Sequence, residues 1–556
     1  MTRLLWPLSV LLVCLPVAIL ATGVSLPFLH RQPGMPQPVP VPSGDQELAW
    51  FHTTTSGTTW ERFVTGVARA QLLVPGLRVD DSMAFADQTT ATPEIVLSMD
   101  GRPGRIRIRW YKLTNDATAA RWVQALAERG PAPLAVIGGG STDRAVDLAR
   151  AMEDQQSWRG DRPLLLITTA TADEVPAEAD DAGPATRNLI DVYRGRSFRF
   201  CFTNRQMAEA VLGYVWENPC LRPRTFAAMA PAAVASGLAA CEKVNPIPAE
   251  KPHVFSVFWR DDPFSTDLHE QFSLAVQRKL LPAGADPMHA PDGPQAHIAT
   301  WSVPFSVGGF ARPNTSEAEV ATSILEQFRK LPPQRSLLVL PTVTKPGRRL
   351  LRALAASAPQ IGQRLVVVTG DGISVNAVYR DGDLEWPVQA LPVPLILFCH
   401  GDPVGWDEAG TGAPARYELR PPTATDDVLH FAEMVRSIVE GCYPPADHLQ
   451  LIAHSDGLLT RADDLAARLH ARRPQFFDTA GNRRGGTGET VVALWPQAED
   501  GAATPRATME VWRRSDERRW EIVRTVEVDQ RRTRASAPAA ASRAQAATAP
   551  VGGRRG

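Results

Sequence analysis

The chain has almost no net charge and lacks the short motifs of several enzyme classes. Its 556 residues carry 59 Lys and Arg against 60 Asp and Glu, a formal net charge of −1. Such a balance gives no long-range field to attract nucleic acid, so we expect no nucleic-acid partner. HExxH, HxxxH and CxxC sequences are absent, so the sequence gives no indication of a zinc centre and we expect no metal.

The nucleophile elbow GxSxG of the common hydrolases is also missing. The stretch AHSDG places His454, Ser455 and Asp456 side by side, whereas a catalytic triad needs these groups to converge from separate elements. We therefore predict a solvated loop at this stretch and expect that the chain is not an enzyme.

Both ends of the chain differ in composition from its middle. The stretch Leu4–Leu29 is uncharged and mostly apolar, and about 20 apolar residues span a bilayer. Its length favours a retained single-pass anchor, with residues 1–30 as the membrane segment, while Ala21–Gly23 would suit a cleaved signal. Either alternative places the folded body on the periplasmic side of the cell membrane.

Proline is concentrated after this segment, and low-complexity sequence closes the chain. Residues 31–46 read as a semi-rigid proline-rich linker. Residues 529–556 are rich in Ala, Pro and Arg, and we predict a disordered tail because such a composition cannot build a core.

Between the two ends, apolar strand-like runs alternate with amphipathic helical ones. PLAVIGG, PLLLITT and FRFCFT have the length and composition of strands buried on both faces of a parallel sheet. The rhythm restarts after residue 251 with HVFSVFW, SLLVLPT and RLVVVTG. Repeated βα units predict an α/β protein with two doubly wound parallel sheets, one in each lobe.

A glycine-rich junction between a strand and a helix is the clearest candidate for a binding site. The sequence GGGSTDRA brings Ser141 and Thr142 to a helix N-terminus, where free N–H groups favour an anion. It is close to the pyrophosphate-binding signature of iron-containing alcohol dehydrogenases, which are NAD- and metal-dependent. Their His and Asp metal ligands have no evident counterpart here, so a ligand carboxylate is favoured and no cofactor is expected.

The order of these elements resembles that of type I periplasmic binding proteins, the leucine/isoleucine/valine-binding and receptor ligand-binding group. LAVIGGGSTDRAVDLA, PLLLITTATADEV and SFRFCFTNRQMAEAVLGYVW are similar to the first lobe. HVFSVFWRDDPFSTDLHEQF is similar to the first strand and helix of the second, although Phe264-Ser265 replaces the usual Tyr-Gly pair. PVPLILFCHGDP resembles the return crossing, and the likeness covers Glu47 to Val528.

The resemblance implies a two-lobed fold preceded by the membrane segment. It assigns 47–203 to the first part of lobe 1, 204–398 to lobe 2, 399–473 to a return to lobe 1, and 474–528 to closing strands mainly of lobe 2. The ligand contacts that it implies are Ser141, Thr142, Thr169, Ala170, Thr171, Asn204 and Asp371. Five of them also have a structural alternative: a helix cap for Ser141, Thr142 and Asn204, a strand end for Thr169, and a turn for Asp371.

The function that the resemblance implies is an exported, membrane-tethered solute-binding protein for a small, amino-acid-like ligand. Its partners would be that ligand, an ABC permease, and the membrane through residues 4–29. A ligand-sensing or scaffolding ectodomain without transport is the alternative, and the NAD- and metal-dependent dehydrogenase is a third.

Overall fold

The computed structural model of the chain describes most of its middle. The described residues are 36–55, 57–85, 91–177, 186–225, 247–248, 253–280, 297–303, 315–331, 334–357, 364–373, 380–381, 384–385, 393–401, 416–417, 426–443, 458–473, 475–485, 489–496, 507–515 and 519–528. The predicted anchor, the AHSDG stretch and the tail lie outside these residues. Among the described helices, none has the length and apolar character needed to cross a membrane.

Most strands of the described residues belong to two large sheets. The first sheet contains the strands nearest the N-terminus, namely β1 (Gln46–Thr53), β2 (Leu77–Asp80), β3 (Glu94–Met99), β4 (Ile106–Leu113), β5 (Ala135–Gly138), β6 (Leu164–Ile167) and β9 (Ser197–Arg199). A separate hairpin is formed by β7 (Glu174–Pro176) and β8 (Thr186–Asn188).

The second sheet is built from the later strands. They are β10 (Arg224–Thr225), β11 (Ile247–Pro248), β12 (His253–Trp259), β13 (His297–Val303), β14 (Gln334–Val339), β15 (Leu365–Val368), β18 (Leu395–Cys399), β19 (Arg416–Tyr417), β20 (Thr490–Pro496), β21 (Ala507–Arg514) and β22 (Trp520–Val528). A small hairpin pairs β16 (Arg380–Asp381) with β17 (Leu384–Glu385).

Helices separate the strands along the chain, as expected for βα units. In chain order they are α1 (Gly57–Leu73), α2 (Ala119–Arg129), α3 (Thr142–Asp154), α4 (Asn204–Glu217), α5 (Pro263–Leu280), α6 (Thr315–Lys330), α7 (Thr344–Ser357), α8 (Asp426–Cys442) and α9 (Ala462–Arg472). A short 3-10 helix covers Leu189–Asp191. Apolar residues recur with helical spacing in α1, where Trp60, Phe63 and Val67 face the core.

Each sheet has a parallel centre and antiparallel additions. The parallel strands run in the order β4-β1-β5-β6-β9 in the first sheet and β13-β12-β14-β15-β18 in the second. Strands β2 and β3 extend the first sheet antiparallel to β4, and β20, β21 and β22 extend the second as a meander. The predicted parallel sheets are therefore confirmed for the centre of each lobe, and the antiparallel strands at the edges are an addition that the sequence did not predict.

Helices cover both faces of each sheet, which gives two lobes with separate cores. In lobe 1, α1, α8 and α9 pack on one face and α2 and α3 on the other. In lobe 2, α6 and α7 cover one face and α4 and α5 the other. The chain changes lobe between β9 and α4, between β18 and α8, and between α9 and β20. Their described residues, 200–203, 400–401, 473, 475–485 and 489, link the lobes and are termed the hinge.

The described part of the proline-rich segment lies against lobe 1. The Val39 carbonyl accepts hydrogen bonds from the guanidinium groups of Arg109 (2.9 Å) and Arg129 (2.7 Å). The same two arginines bind the buried carboxylate of Glu47 at the start of β1. This ion cluster lies at the amino ends of the strands, the edge away from the candidate site.

Candidate functional site

The sheet order places a crevice at the carboxyl end of each parallel sheet. In lobe 1 the first parallel strand, β1, lies between β4 and β5, which are the next two parallel strands along the chain; in lobe 2, β12 likewise lies between β13 and β14. Ligands of such sheets bind where the strand order reverses. In lobe 1 this point lies between the ends of β1 and β5, and in lobe 2 between the ends of β12 and β14. A cavity of about 820 Å³ opens beside the lobe 1 point, between the ends of β1 and β4 and the helices α2 and α3, and its lining includes Thr53, Leu113 and Asp143 but none of the seven predicted contacts.

The glycine-rich junction forms the start of α3. Gly139 adopts a φ of 77°, which favours glycine, and turns the chain from β5 into the helix. Ser141 occupies the N-cap position, but its side chain makes no capping hydrogen bond. The buried Thr142 hydroxyl has no hydrogen-bond partner among the described residues. Ser141 thus occupies the predicted cap position, but neither hydroxyl makes a capping hydrogen bond.

His52, which the sequence did not single out, lies directly behind this junction. Its Nδ1 accepts a hydrogen bond from the Thr53 backbone N–H (3.0 Å), so the proton of the neutral ring resides on Nε2. Burial, helped by the positive charge of Arg144, lowers the pKa of His52 to about 4. A Cβ added at Gly140 would lie 2.7 Å from Nε2. A neutral N–H donor thus borders the turn, and only glycine leaves room for it.

The turn after β6 lies beside the first one. The Thr168 backbone N–H donates to the Gly138 carbonyl (2.9 Å), and the Thr169 N–H donates to the Gly139 carbonyl (3.3 Å). Ala170 and Thr171 are buried, and the Thr171 hydroxyl has no partner within the described part of the chain. Residues 141–142 and 169–171 are thus brought together at one edge of lobe 1.

Asn204 joins this edge through the backbone. Its N–H donates to the Thr171 carbonyl (2.8 Å), and its side chain is fully buried. The capping alternative for Asn204 is wrong, because Thr203 and Gln206 form a reciprocal capping box at the start of α4. The Asn204 Nδ2 donates instead to the Asp267 carboxylate (2.7 Å).

Asp267 on α5 connects the lobes. Its carboxylate accepts hydrogen bonds from the backbone N–H groups of Asp173 (3.0 Å) and Glu174 (3.3 Å), which follow the Thr169–Thr171 turn of lobe 1. Burial, followed by the negative charge of Asp173, raises the pKa of Asp267 to about 6. The Asp267 carboxylate thus already accepts hydrogen bonds from two backbone N–H groups that lie next to the predicted ligand contacts Thr169–Thr171.

The facing edge of lobe 2 carries further polar groups. Burial raises the pKa of Asp262 to about 6, and the negative charge of Asp143 on α3 of lobe 1 adds to the effect. The buried Thr342 hydroxyl has no partner among the residues that the structure describes. The Phe264 ring packs against Gly372, where an added Cβ would lie 2.9 Å from the ring. Phe264 is one of the two residues that replace the Tyr-Gly pair usual in the resembled family, and it therefore borders this edge.

Asp371 belongs to a different group, at the hinge. Its carboxylate lies 2.8 Å from the Nε2 of His400. The His400 ring stacks on Phe202 at 5.8 Å and lies 5.4 Å from the ring of His430. His430 donates to the Thr168 carbonyl (2.8 Å), which it does as a neutral ring, because burial lowers its pKa well below the usual value. Among the described residues, no hydrogen bond or ion pair joins Asp371 to the other six predicted contacts.

Comparison with known proteins gives distant structural likenesses alone. No protein-family model and no curated protein matches the chain. A leucine binding protein, LivK, from Thermotoga maritima is 10% identical with a TM-score of 0.42, over 86% of this chain and 98% of that one. A sugar ABC transport substrate-binding protein from Bordetella parapertussis is 10% identical with a TM-score of 0.31, over 83% and 92%.

A third similar structure is an ABC transporter solute binding protein from Bacillus halodurans with bound myo-inositol. It is 10% identical with a TM-score of 0.29, over 64% of this chain and 84% of that one. All three are named as binding proteins. These likenesses are too weak to assign a family, and the two-lobed architecture follows from the sheet order and the connections between the lobes.

Proposed function

We propose that the chain is a solute-binding protein that closes its two lobes on a small polar, amino-acid-like ligand. One observation carries the proposal: five of the buried polar atoms that have no partner in the described part of the chain lie at the strand edges of both lobes. They are Thr142 Oγ1, Thr171 Oγ1, Asn204 Oδ1, Asp262 Oδ2 and Thr342 Oγ1. Buried polar groups are rarely left unpaired, so a ligand with several donors and acceptors accounts for them.

The chemistry of these groups supports a zwitterionic ligand. The free N–H groups at the start of α3, the hydroxyls of Ser141 and Thr142, and the N–H donor of His52 suit a carboxylate. Asp262 across the edge and Asp371 at the hinge are the carboxylates that would pair with an ammonium group. In this proposal Thr169, Ala170 and Thr171 contribute backbone and hydroxyl contacts beside the carboxylate.

The cellular setting is proposed from the sequence. The apolar stretch 4–29 would tether the body to the membrane on its periplasmic side, and an ABC permease would receive the ligand. The alternative, a ligand-sensing or scaffolding ectodomain, is favoured by the Asp267 contact, because this contact holds the lobes together through groups of the chain itself.

The test is ligand binding by the full-length chain in detergent, measured by thermal shift and calorimetry with a panel of amino acids. We expect saturable stabilisation by at least one of them. Thr171→Val, which removes one unpartnered hydroxyl, should lower the affinity for that ligand by about tenfold. The matched control is Thr322→Val, at an exposed threonine of α6 whose hydroxyl binds its own helix. Absence of any amino-acid ligand, or equal affinity of both variants, would contradict the proposal.

A further inference from the structure

A second concave region lies away from the cleft edges, between α8, the end of α9 and the segment that follows it. This groove has a volume of about 1260 Å³ and an unusual concentration of one charge. Its charged lining residues are Arg436, Glu440, Arg472, Arg473, Arg483 and Arg484. Five guanidinium groups thus surround a single lining carboxylate.

The nearby carboxylates are already in use. Arg436 binds Glu440 (2.8 Å), and Arg473 binds both Glu440 (3.0 Å) and Glu433. These contacts neutralise two of the five arginines. Because the paired carboxylates lie on α8, they leave the opposite side of the groove positively charged.

The other three arginines interact with backbone carbonyls. Arg472 donates to the Glu440 carbonyl (2.7 Å), Arg483 to the Phe200 carbonyl (3.3 Å), and Arg484 to the Phe477 carbonyl (2.9 Å). Each of these bonds uses one of the five N–H donors that a guanidinium carries. The groove therefore has an excess of positive charge and spare donors.

Arg483 is held in place without a carboxylate partner in direct contact among the described residues. Its guanidinium stacks over Phe202 at 3.7 Å and lies 5.1 Å from the Phe476 ring. Glu433 and, to a smaller extent, Glu489 attract it from a distance, but Glu433 is bound to Arg473 and Glu489 to Arg514 (3.1 Å). Burial lowers the pKa of Arg483 to about 10, so it remains charged at neutral pH. A cation partly removed from water gains strongly from an anion beside it.

We propose that this groove binds a phosphate group, either inorganic phosphate or that of a small phosphorylated molecule. Guanidinium groups present paired N–H donors that match phosphate oxygens, and the excess charge exceeds what one carboxylate would neutralise. A nucleic acid is not favoured, because the chain as a whole carries a net charge of −1. The site is separate from the cleft and does not depend on its proposed ligand.

The test uses the full-length chain and calorimetric titration with inorganic phosphate and, separately, with glycerol phosphate. We expect saturable binding that weakens as salt is added. The double variant Arg472→Gln/Arg484→Gln should bind at least about tenfold more weakly. The control Arg78→Gln/Arg194→Gln removes the same charge at two highly exposed arginines and should bind as the unmodified chain does.

The outcomes separate the alternatives. Tighter binding of glycerol phosphate than of inorganic phosphate identifies a phosphorylated molecule as the ligand, and the reverse identifies the free ion. Absence of binding by the unmodified chain, or an equal loss in both double variants, would overturn the proposal. Circular dichroism of the variants excludes misfolding as the cause of a loss. If the groove does not bind phosphate, the proposed binding of amino acids in the cleft is unaffected.

Discussion

The contact of Asp267 with lobe 1 leads to a prediction whose sign is unusual. The carboxylate is buried and accepts three hydrogen bonds, two from the backbone of the other lobe and one from Asn204. Three such bonds would by themselves hold the carboxylate ionised. Burial and the negative charge of Asp173 outweigh them, since the pKa of Asp267 rises from 3.8 to about 6.

The magnitude follows from linkage between protonation and folding. A pKa raised by about two units corresponds to about 3 kcal/mol between the two protonation states. The folded pKa lies above the unfolded one, so this stabilisation is complete below pH 3.8 and is lost as the pH rises through about 6. Asp267→Asn removes the titration and leaves one buried N–H facing an amide NH₂, which costs about 1–3 kcal/mol at any pH.

We therefore expect Asp267→Asn to destabilise the chain at pH 4 and to be neutral or stabilising at pH 8. The assay is urea unfolding of the full-length chain at both pH values, followed by tryptophan fluorescence. Glu209→Gln is the control, because Glu209 forms an exposed ion pair with Arg278 and its loss should change the unfolding free energy little. A variant that is destabilised more at pH 8 than at pH 4 would refute the reasoning, since the hydrogen bonds would then dominate over burial.

Two further substitutions test the lobe 1 framework. Gly140→Ala places a Cβ 2.7 Å from His52 Nε2 and should destabilise the chain by about 1–3 kcal/mol in urea unfolding, whereas Gly57→Ala, which meets no atom within 4 Å, should not. Equal effects of the two would show that the His52 contact imposes no constraint. Glu47→Gln removes the buried carboxylate that Arg109 and Arg129 share; because Arg109 keeps its ion pair with Glu94 (2.6 Å), we expect a loss of about 1–3 kcal/mol. A loss below about 1 kcal/mol would show that water reaches this cluster.

Local sequence predicted the elements that depend on neighbouring residues. The run PLAVIGG gave β5 and the GGGST junction gave the start of α3, because chain reversal after a buried strand needs glycine and a helix N-terminus needs a polar residue. The capping box of Thr203 and Gln206 was also readable, as a threonine followed three residues later by glutamine. The sequence therefore contained the signal for the helix cap, and assigning that cap to Asn204 in place of Thr203 was an error of interpretation.

Contacts between distant segments could not be predicted. Asp267 lies within STDLHEQF, an ordinary amphipathic helical stretch, and its partners Asp173 and Glu174 are more than 90 residues away. His52 follows an apolar strand, and its importance depends on a glycine loop near residue 140 that reaches it in the folded chain. The groove arginines are spread over three segments between residues 436 and 484, so no local window shows their convergence.

The Asp267 contact also distinguishes transport from sensing. A carrier must open to release its ligand, so the closed state of its ligand-free form has to lie close in free energy to the open one. Here the lobes are linked by a carboxylate of the chain itself. Above pH 6 this carboxylate is ionised while buried beside Asp173, and that charge favours an open state in which water hydrates it. Solution scattering of the ligand-free chain at pH 5 and pH 8 therefore decides between the two functions. Expansion at pH 8 fits a carrier that opens, whereas an unchanged radius of gyration fits an ectodomain held closed for contact with a partner.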